Sequence, residues 1–434
     1  MKLKIPKVFS LIFVSVLIMT SLKVSIFAED NPKNVLTLSE CINYAIKFNP
    51  NIKSSKQWER ASKASLMGSK SSLFPSLTYY GGISRSSGKH KNSVENEYSS
   101  TDYSSNIYIN QNIFNLASYK NIVYAKEQMI SQKYSTKSTT QGVIFWATYA
   151  FYNALKIQKE IDIANENILS IRQFLNLSKE LQHQGKCSEY DITFAKIDSM
   201  NAEIQLNTLK SNFQKAIAYL KEQIGASDLS ISSLSGDILF HLYNVNLDDA
   251  INMALSNRPD YKASLYTIAS KKVFVSLNYA RLFPVLSMGG GANYYNRIDD
   301  YDYSNKGWNL GLNMSLPIFS GFRIKSDIDQ AKASLSASEF YNENLKQRII
   351  YEVQVRYYAL QELERNFKIS EKVVNESYKK YNLALSRYKS GKSNSLELSN
   401  AISSLTCAHI NNLNYLIHYK SSVADLKWAI GIIE

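Results

Sequence analysis

Cysteine is nearly absent: Cys41, Cys187 and Cys407 are the only three in 434 residues, far apart and without a C-x-x-C pair. An odd, scattered set of this kind builds neither a disulfide framework nor a zinc site. Cys41 sits on an apolar helical face where a second copy of the same motif carries Ala250, which predicts a small buried position. Histidine is sparse too, with five residues, no H-x-x-x-H pair and no grouping at metal-ligand spacing, so no metal site is expected. The chain has no P-loop, no G-x-S-x-G element and no G-x-G-x-x-G after a strand. Gly289 to Gly291 is a glycine run inside a strand candidate, suited to close backbone packing or a barrel bend. The expectation is a protein that is not an enzyme, with no catalytic residue and no cofactor.

Long apolar runs are missing after residue 28, although 45% of the chain is hydrophobic and 12% aromatic. Any later membrane crossing must therefore be β. The one early run is Val8 to Met19, preceded by Lys2, Lys4 and Lys7 and followed by Phe27 and Ala28. It is too short for a spanning helix, which needs about 20 residues, and reads as a secretory signal peptide over 1–28. Ala28 suits the residue before cleavage, whereas Ile26 is larger than usual for its position. The formal charge is +13, and removing the four lysines ahead of Glu29 leaves +9. That charge is spread over solvated faces, not clustered as nucleic-acid binding requires, so no nucleic acid is expected as a partner.

What the chain does have is a duplication. Leu38 to Pro50, LSECINYAIKFNP, is matched 209 residues later by LDDAINMALSNRP ending at Pro259, and LFPSL at 73–77 recurs as LFPVL at 282–286 with the same offset. Asn112 to Asn115 and Phe151 to Leu155 find partners at an offset of 205, and Gly185 pairs with Gly391 at 206. The register slips between the two strand candidates of each repeat, where a loop insertion costs little. The expected organisation is a first repeat over 36–225, a linker over 226–245 and a second repeat over 246–431.

Each repeat opens with a helix signal, a capping box at Thr37 and Glu40 and a weaker one at Asn246 and Asp249. Pro50 and Pro259 break that helix and suit the first turn of the next. Pro75 and Pro284 end the second helix, after which the pattern alternates. Trp308, Leu310, Leu312, Met314 and Leu316 are interleaved with Asn309, Gly311, Asn313 and Ser315. Strands of this kind predict β-hairpins at about 76–115 and 285–319, with Ser87 to Asp102 and Ile298 to Lys306 as polar loops. A soluble sandwich would show the same alternation.

The helices decide between them. From Ala117 to Gln184 and from Phe322 to Lys389 there is no proline and little glycine. Each run would be about 100 Å long as one helix, at 1.5 Å per residue. Globular helices average about 11 to 12 residues. Each ends at a Gly-Lys turn, Gly185-Lys186 or Gly391-Lys392, followed by a shorter returning helix. Four strands per chain cannot close a barrel, so the chain must oligomerise, with a dimer the minimum and a trimer giving twelve strands.

These residues resemble the TolC family of outer-membrane efflux ducts over about Leu36 to Gly431. The resemblance rests on the paired Pro and L-F-P elements, the strand endings N-I-F-N and P-I-F-S, the turn Tyr388 to Lys392 and the terminal Ala429-Ile430-Gly431. It implies a mainly α membrane protein with long antiparallel coiled-coil helices forming an α-barrel and four transmembrane strands per chain in a shared trimeric β-barrel. It also implies a homotrimer in the outer membrane, with its helices in the periplasm and lipid around its strands. The tip turns Gly185, Lys186, Gly391 and Lys392 would meet a periplasmic adaptor (membrane fusion) protein, itself joined to an inner-membrane transporter of the ABC or RND type. The family's first acidic ring falls on Glu397, its second on Asn400, which carries no charge, and the equivalent position after the first turn on Asp191. The rival reading is an exported coiled-coil envelope protein without channel activity, which explains the helices but not the paired strands.

Overall fold

A computed structural model describes residues 35–89, 97–236, 238–298 and 303–433; the expected signal segment lies outside them. The first repeat runs β1 (Val35–Thr37), α1 (Leu38–Phe48), α2 (Pro50–Ser71), β2 (Ser76–Lys89), β3 (Glu97–Phe114), α3 (Leu116–His183) and α4 (Glu189–Ile224). After β4 (Ser233–Ser235) the second runs α5 (Leu247–Asn257), α6 (Pro259–Ala280), β5 (Val285–Ile298), β6 (Tyr303–Ser315), α7 (Arg323–Lys389) and α8 (Ser395–Ala429).

The helix ends follow local chemistry. Thr37 and Glu40 cap each other reciprocally, the Glu40 N–H donating to Thr37 Oγ1 at 3.3 Å and the Thr37 N–H to Glu40 Oε2 at 3.1 Å. The second copy departs from expectation: Asn246 accepts from the Asp248 N–H at 3.1 Å, and no reciprocal bond to Asp249 forms. Among the described residues no helix is long and apolar enough to cross a membrane.

In α3 the buried positions Ile168, Ile171, Phe174, Ser178 and Leu181 recur every three or four residues, the spacing of a coiled-coil seam. α2 and α4 pack along α3, and α6 and α8 pack on its other side, with α7 beyond them. The order across the slab is therefore α2–α3–α6–α7 near the strands and α4–α3–α8–α7 farther down, with α4 meeting α8 directly at the turns. The outermost helices carry exposed apolar side chains, including Trp58 and Met67 on α2, Tyr190 and Ile204 on α4, and Tyr351 and Leu383 on α7.

The strands make one four-stranded antiparallel sheet in the order β2-β3-β5-β6, continuing the helix order. Sequence pattern foresaw two hairpins; the pairing of β3 with β5, from Thr101↔Ile298 to Phe114↔Leu286, joins them. The expected polar loops are largely strand: β2 reaches Lys89, β3 resumes at Glu97 and β6 begins at Tyr303. These strands hold 13 to 18 residues, more than the 9–11 that cross a bilayer, so their polar upper parts continue the ladder beyond the apolar band. β2 and β6 remain as edges. A small parallel pair, Val35–Thr37 with Ser233–Ser235, ties the linker to the start of the first repeat.

Candidate gate at the helical tips

Both helical hairpins end in the same backbone device. At the end of α3 the Gly185 N–H reaches Gln182 O at 2.8 Å and the Lys186 N–H reaches Leu181 O at 2.9 Å; at the end of α7 the Gly391 N–H reaches Tyr388 O at 3.0 Å and the Lys392 N–H reaches Arg387 O at 2.9 Å. This Schellman closure requires a left-handed residue, and Gly185 and Gly391 supply φ of 69° and 70°. The two turns lie side by side.

Three residues past each glycine comes the N-cap of the returning helix, Ser188 or Asn394, and six residues past it the third helical position, Asp191 or Glu397. The two acids thus occupy equivalent places near a helix N-terminus, where negative charge is favoured. Their partners differ. Asp191 takes the Ser188 hydroxyl at 2.6 Å and the Ser188 N–H at 3.0 Å, closing a capping box, and also accepts from Ser395 Oγ on the other hairpin. Partial burial alone would raise its carboxyl; the bonds from Ser188 and Ser395 outweigh that and hold it below the usual carboxylate range. Glu397 turns away from its cap, pairing with Arg387 Nε at 3.0 Å and accepting from Ser393 Oγ at 2.6 Å. Asn400 is exposed on the next turn of α8.

Ser395 to Asp191 is one of several ties between the hairpins. Ser399 Oγ donates to Asp198 Oδ2 at 2.5 Å, Tyr388 Oη lies 2.9 Å from Ser178 Oγ, and Thr406 Oγ1 is 2.9 Å from Asn167 Oδ1. Tyr388 is buried against Phe174, and burial, reinforced by its contact with Cys187, pushes its phenol well above the ordinary tyrosine range. Sequence reasoning named Asp191 and Glu397 but missed Asp198, Arg387, Tyr388, Ser395 and Ser399. Asp198, Tyr388, Ser395 and Ser399 lie on the inner seams of α4, α7 and α8, whereas Arg387 is exposed and carried no periodic signal. Lys186 and Lys392 lie exposed at the extreme end. Among the described residues no group of His, Cys, Asp and Glu could hold a metal ion.

At the opposite end the sheet separates its chemistry by face. Leu77, Ile109, Gly290 and Leu310 form one cross-strand row, and Tyr79, Ile107, Ala292 and Trp308 the next. Trp308 is 81% exposed and Met314 72%. The alternate positions, among them Ser84, Asn106, Asn293 and Asn309, are polar.

The sequence profile described as Outer membrane efflux protein matches residues 41–226 and 250–432. Nodulation protein T of Rhizobium leguminosarum bv. trifolii is 24% identical over 290 residues, 65% of this chain and 61% of its own length. Outer membrane efflux protein BepC of Brucella suis biovar 1 is 21% identical over 305 residues, covering 69% and 64%. The matched segment thus spans less than two thirds of these curated relatives. Among solved structures, the Campylobacter jejuni CmeC outer membrane channel superposes with a TM-score of 0.78 at 19% identity, over 91% of this chain and 85% of that one. VceC of Vibrio cholerae gives 0.77 at 14%, over 91% and 96%. These likenesses establish the fold: long helices and a β-barrel segment built from tandem repeats.

Proposed function

Since the chain belongs to the outer membrane efflux protein family, we propose that it is a passive exit duct for an inner-membrane pump, seated in the outer membrane with its helices in the periplasm. The observation that carries this is the four-stranded sheet, apolar and exposed on one face, polar on the other, and open at β2 and β6. In lipid, unpaired strand edges leave backbone N–H and C=O groups unsatisfied at a cost of several kcal/mol each. Closing the sheet on itself removes that cost. The two edges differ, so copies join head to tail, and three copies give a barrel of twelve strands. The exposed apolar residues of α2 and α4 on one side and α7 on the other fit the same ring, and a homotrimer is the closure we infer.

The tips are the periplasmic mouth. Asp191–Ser395 and Asp198–Ser399 hold each protomer's hairpins together, and their separation opens the duct. Glu397, paired in each protomer with Arg387, faces the axis, where three carboxylates favour cations once they part from Arg387 and repel one another until opening spreads them; Asn400 adds no second charged ring. Gly185, Lys186, Gly391 and Lys392 present the surface for a periplasmic adaptor, which couples the duct to a transporter of the ABC or RND type. Transported molecules pass without chemistry, the energy coming from that pump.

The test is the purified mature protein in a planar bilayer, with its oligomer mass measured in the same preparation. Discrete conductance steps from a trimer are expected; a soluble rod that never inserts sinks the reading. Glu397→Gln then should shift the reversal potential away from cations, and an unchanged value removes Glu397 from the gate.

A further inference from the structure

The polar face of the sheet contains a single charged pair among its described strand residues. Asp102 on β3 and Arg297 on β5 are direct cross-strand partners. Arg297 Nε donates to Asp102 Oδ1 at 2.7 Å and Nη2 to Oδ2 at 3.4 Å, while Tyr295 Oη donates to Oδ1 at 2.7 Å. Parity fixes their direction. Ile107 and Ile109 on β3 and Met288 and Ala292 on β5 belong to the apolar face, no register break intervenes, and residues 102 and 297 therefore point the other way. The remaining strand charges with described side chains, Arg85 and Lys306, share the parity of the lipid-facing residues. Serine, threonine, asparagine, glycine and tyrosine make up most of the rest of the inward surface.

We propose that the three Asp102–Arg297 pairs form a charge-compensated collar inside the barrel that sets the ion preference of its upper end, so that solutes of either sign leave the duct. This rests on the duct reading above. A carboxylate ring in a pore selects cations and a guanidinium ring anions; here each cancels the other within one bridge, and hydrogen-bonding and aromatic groups do the remaining contact. Asp102 is the more enclosed partner, with 17% of its side chain exposed against 43% for Arg297. Loss of arginine would therefore leave a carboxylate ring held in place by Tyr295.

The experiment is the reversal potential of the full trimer under a KCl gradient. Arg297→Gln is expected to shift it toward the potassium equilibrium value, Asp102→Asn toward that of chloride, and the double variant to return it to the wild-type value; Arg297→Lys, which keeps charge but loses the fork, stays at wild type. Conducting single variants with unchanged selectivity, or both shifted in the same direction, overturn the proposal. Ser104→Asp tests the same level without breaking the bridge, because Ser104 is the next inward residue on β3. It should also shift the potential toward potassium, and if the single variants do not assemble, its failure to do so is decisive against the collar. A wild-type protein that forms no channel refutes the duct reading instead.

Discussion

The two repeats build the same junction, where a short first helix gives way to the next at proline, with different side chains. In the first, Asn49 caps α2 by accepting from the Asn51 N–H at 2.8 Å and donates Nδ2 to Gln223 O at 2.7 Å. In the second the equivalent residue is Arg258, only 6% exposed, whose Nη1 lies 3.5 Å from Ala429 O, the counterpart of Gln223 O. Arg258 also holds Asp260 at 2.6 Å and Glu352 at 2.8 Å, and its guanidinium lies over Trp428, which Phe145 stacks from α3. Burial works against that charge, but the bonds to Asp260 and Glu352 prevail and raise its pKa above the arginine norm. One repeat satisfies the buried carbonyl with a neutral amide and the other with a clustered cation. The backbone is common to both: Gly225 at φ 69° and Gly431 at φ 77° close α4 and α8 against residues 49 and 258. Backbone contact defines the junction, and the side chain only has to reach the carbonyl.

Breaking this pair of junctions should give unequal losses. Arg258→Ala takes the cation from Asp260 and leaves Glu352 only Arg356 at 3.9 Å, and is expected to cost about 3 kcal/mol, read as a large drop in the melting temperature of the detergent-solubilised protein by circular dichroism. Gly225→Ala and Gly431→Ala sharpen the common part. A Cβ at either would sit 2.7 to 2.8 Å from backbone atoms, so each should cost about 1–3 kcal/mol and the two melting shifts should match. Asn49→Ala should cost about 1 kcal/mol, the usual value of an N-cap. Equal shifts for Asn49→Ala and Arg258→Ala would mean the ion cluster adds nothing.

The smallest effect is at the tips and depends on pH. Asp191 is a stronger acid in the folded state than in the unfolded chain, so on acidification the folded state takes up its proton later. Its stabilisation is complete above the unfolded carboxylate pKa, about 3.9, and disappears as pH falls through the lower folded value. Channel opening should therefore rise at strongly acid pH, and Asp191→Asn should abolish that component; a pH profile identical in the variant argues against the Asp191 latch.

The long rods were legible because some 68 residues without proline and with little glycine leave little else, and the turns because Gly-Lys interrupts a helical seam. β6 was legible through strict alternation at Trp308 to Met314. Polarity misled at Ser99 to Asp102, where the ladder to β2 satisfies a backbone that looked like loop. β1 and β4, three residues each, carry no period at all. At the tips a positional analogy found Asp191, but its bond to Ser395 joins residues 204 positions apart, which no local pattern encodes. Arg258 stood beside a noticed proline, yet its three acceptors come from α6, α7 and the end of α8.

The unlike edges of the sheet bear on inheritance as well as assembly. In a ring closed head to tail, every subunit must offer one sound β2 edge and one sound β6 edge, and a damaged copy cannot be bypassed by rotating it. A proline in β6 would therefore spoil each trimer it enters, and in a cell making both forms the intact rings should fall as the cube of the normal fraction. Such an allele would be dominant, although the damaged chain itself conducts nothing.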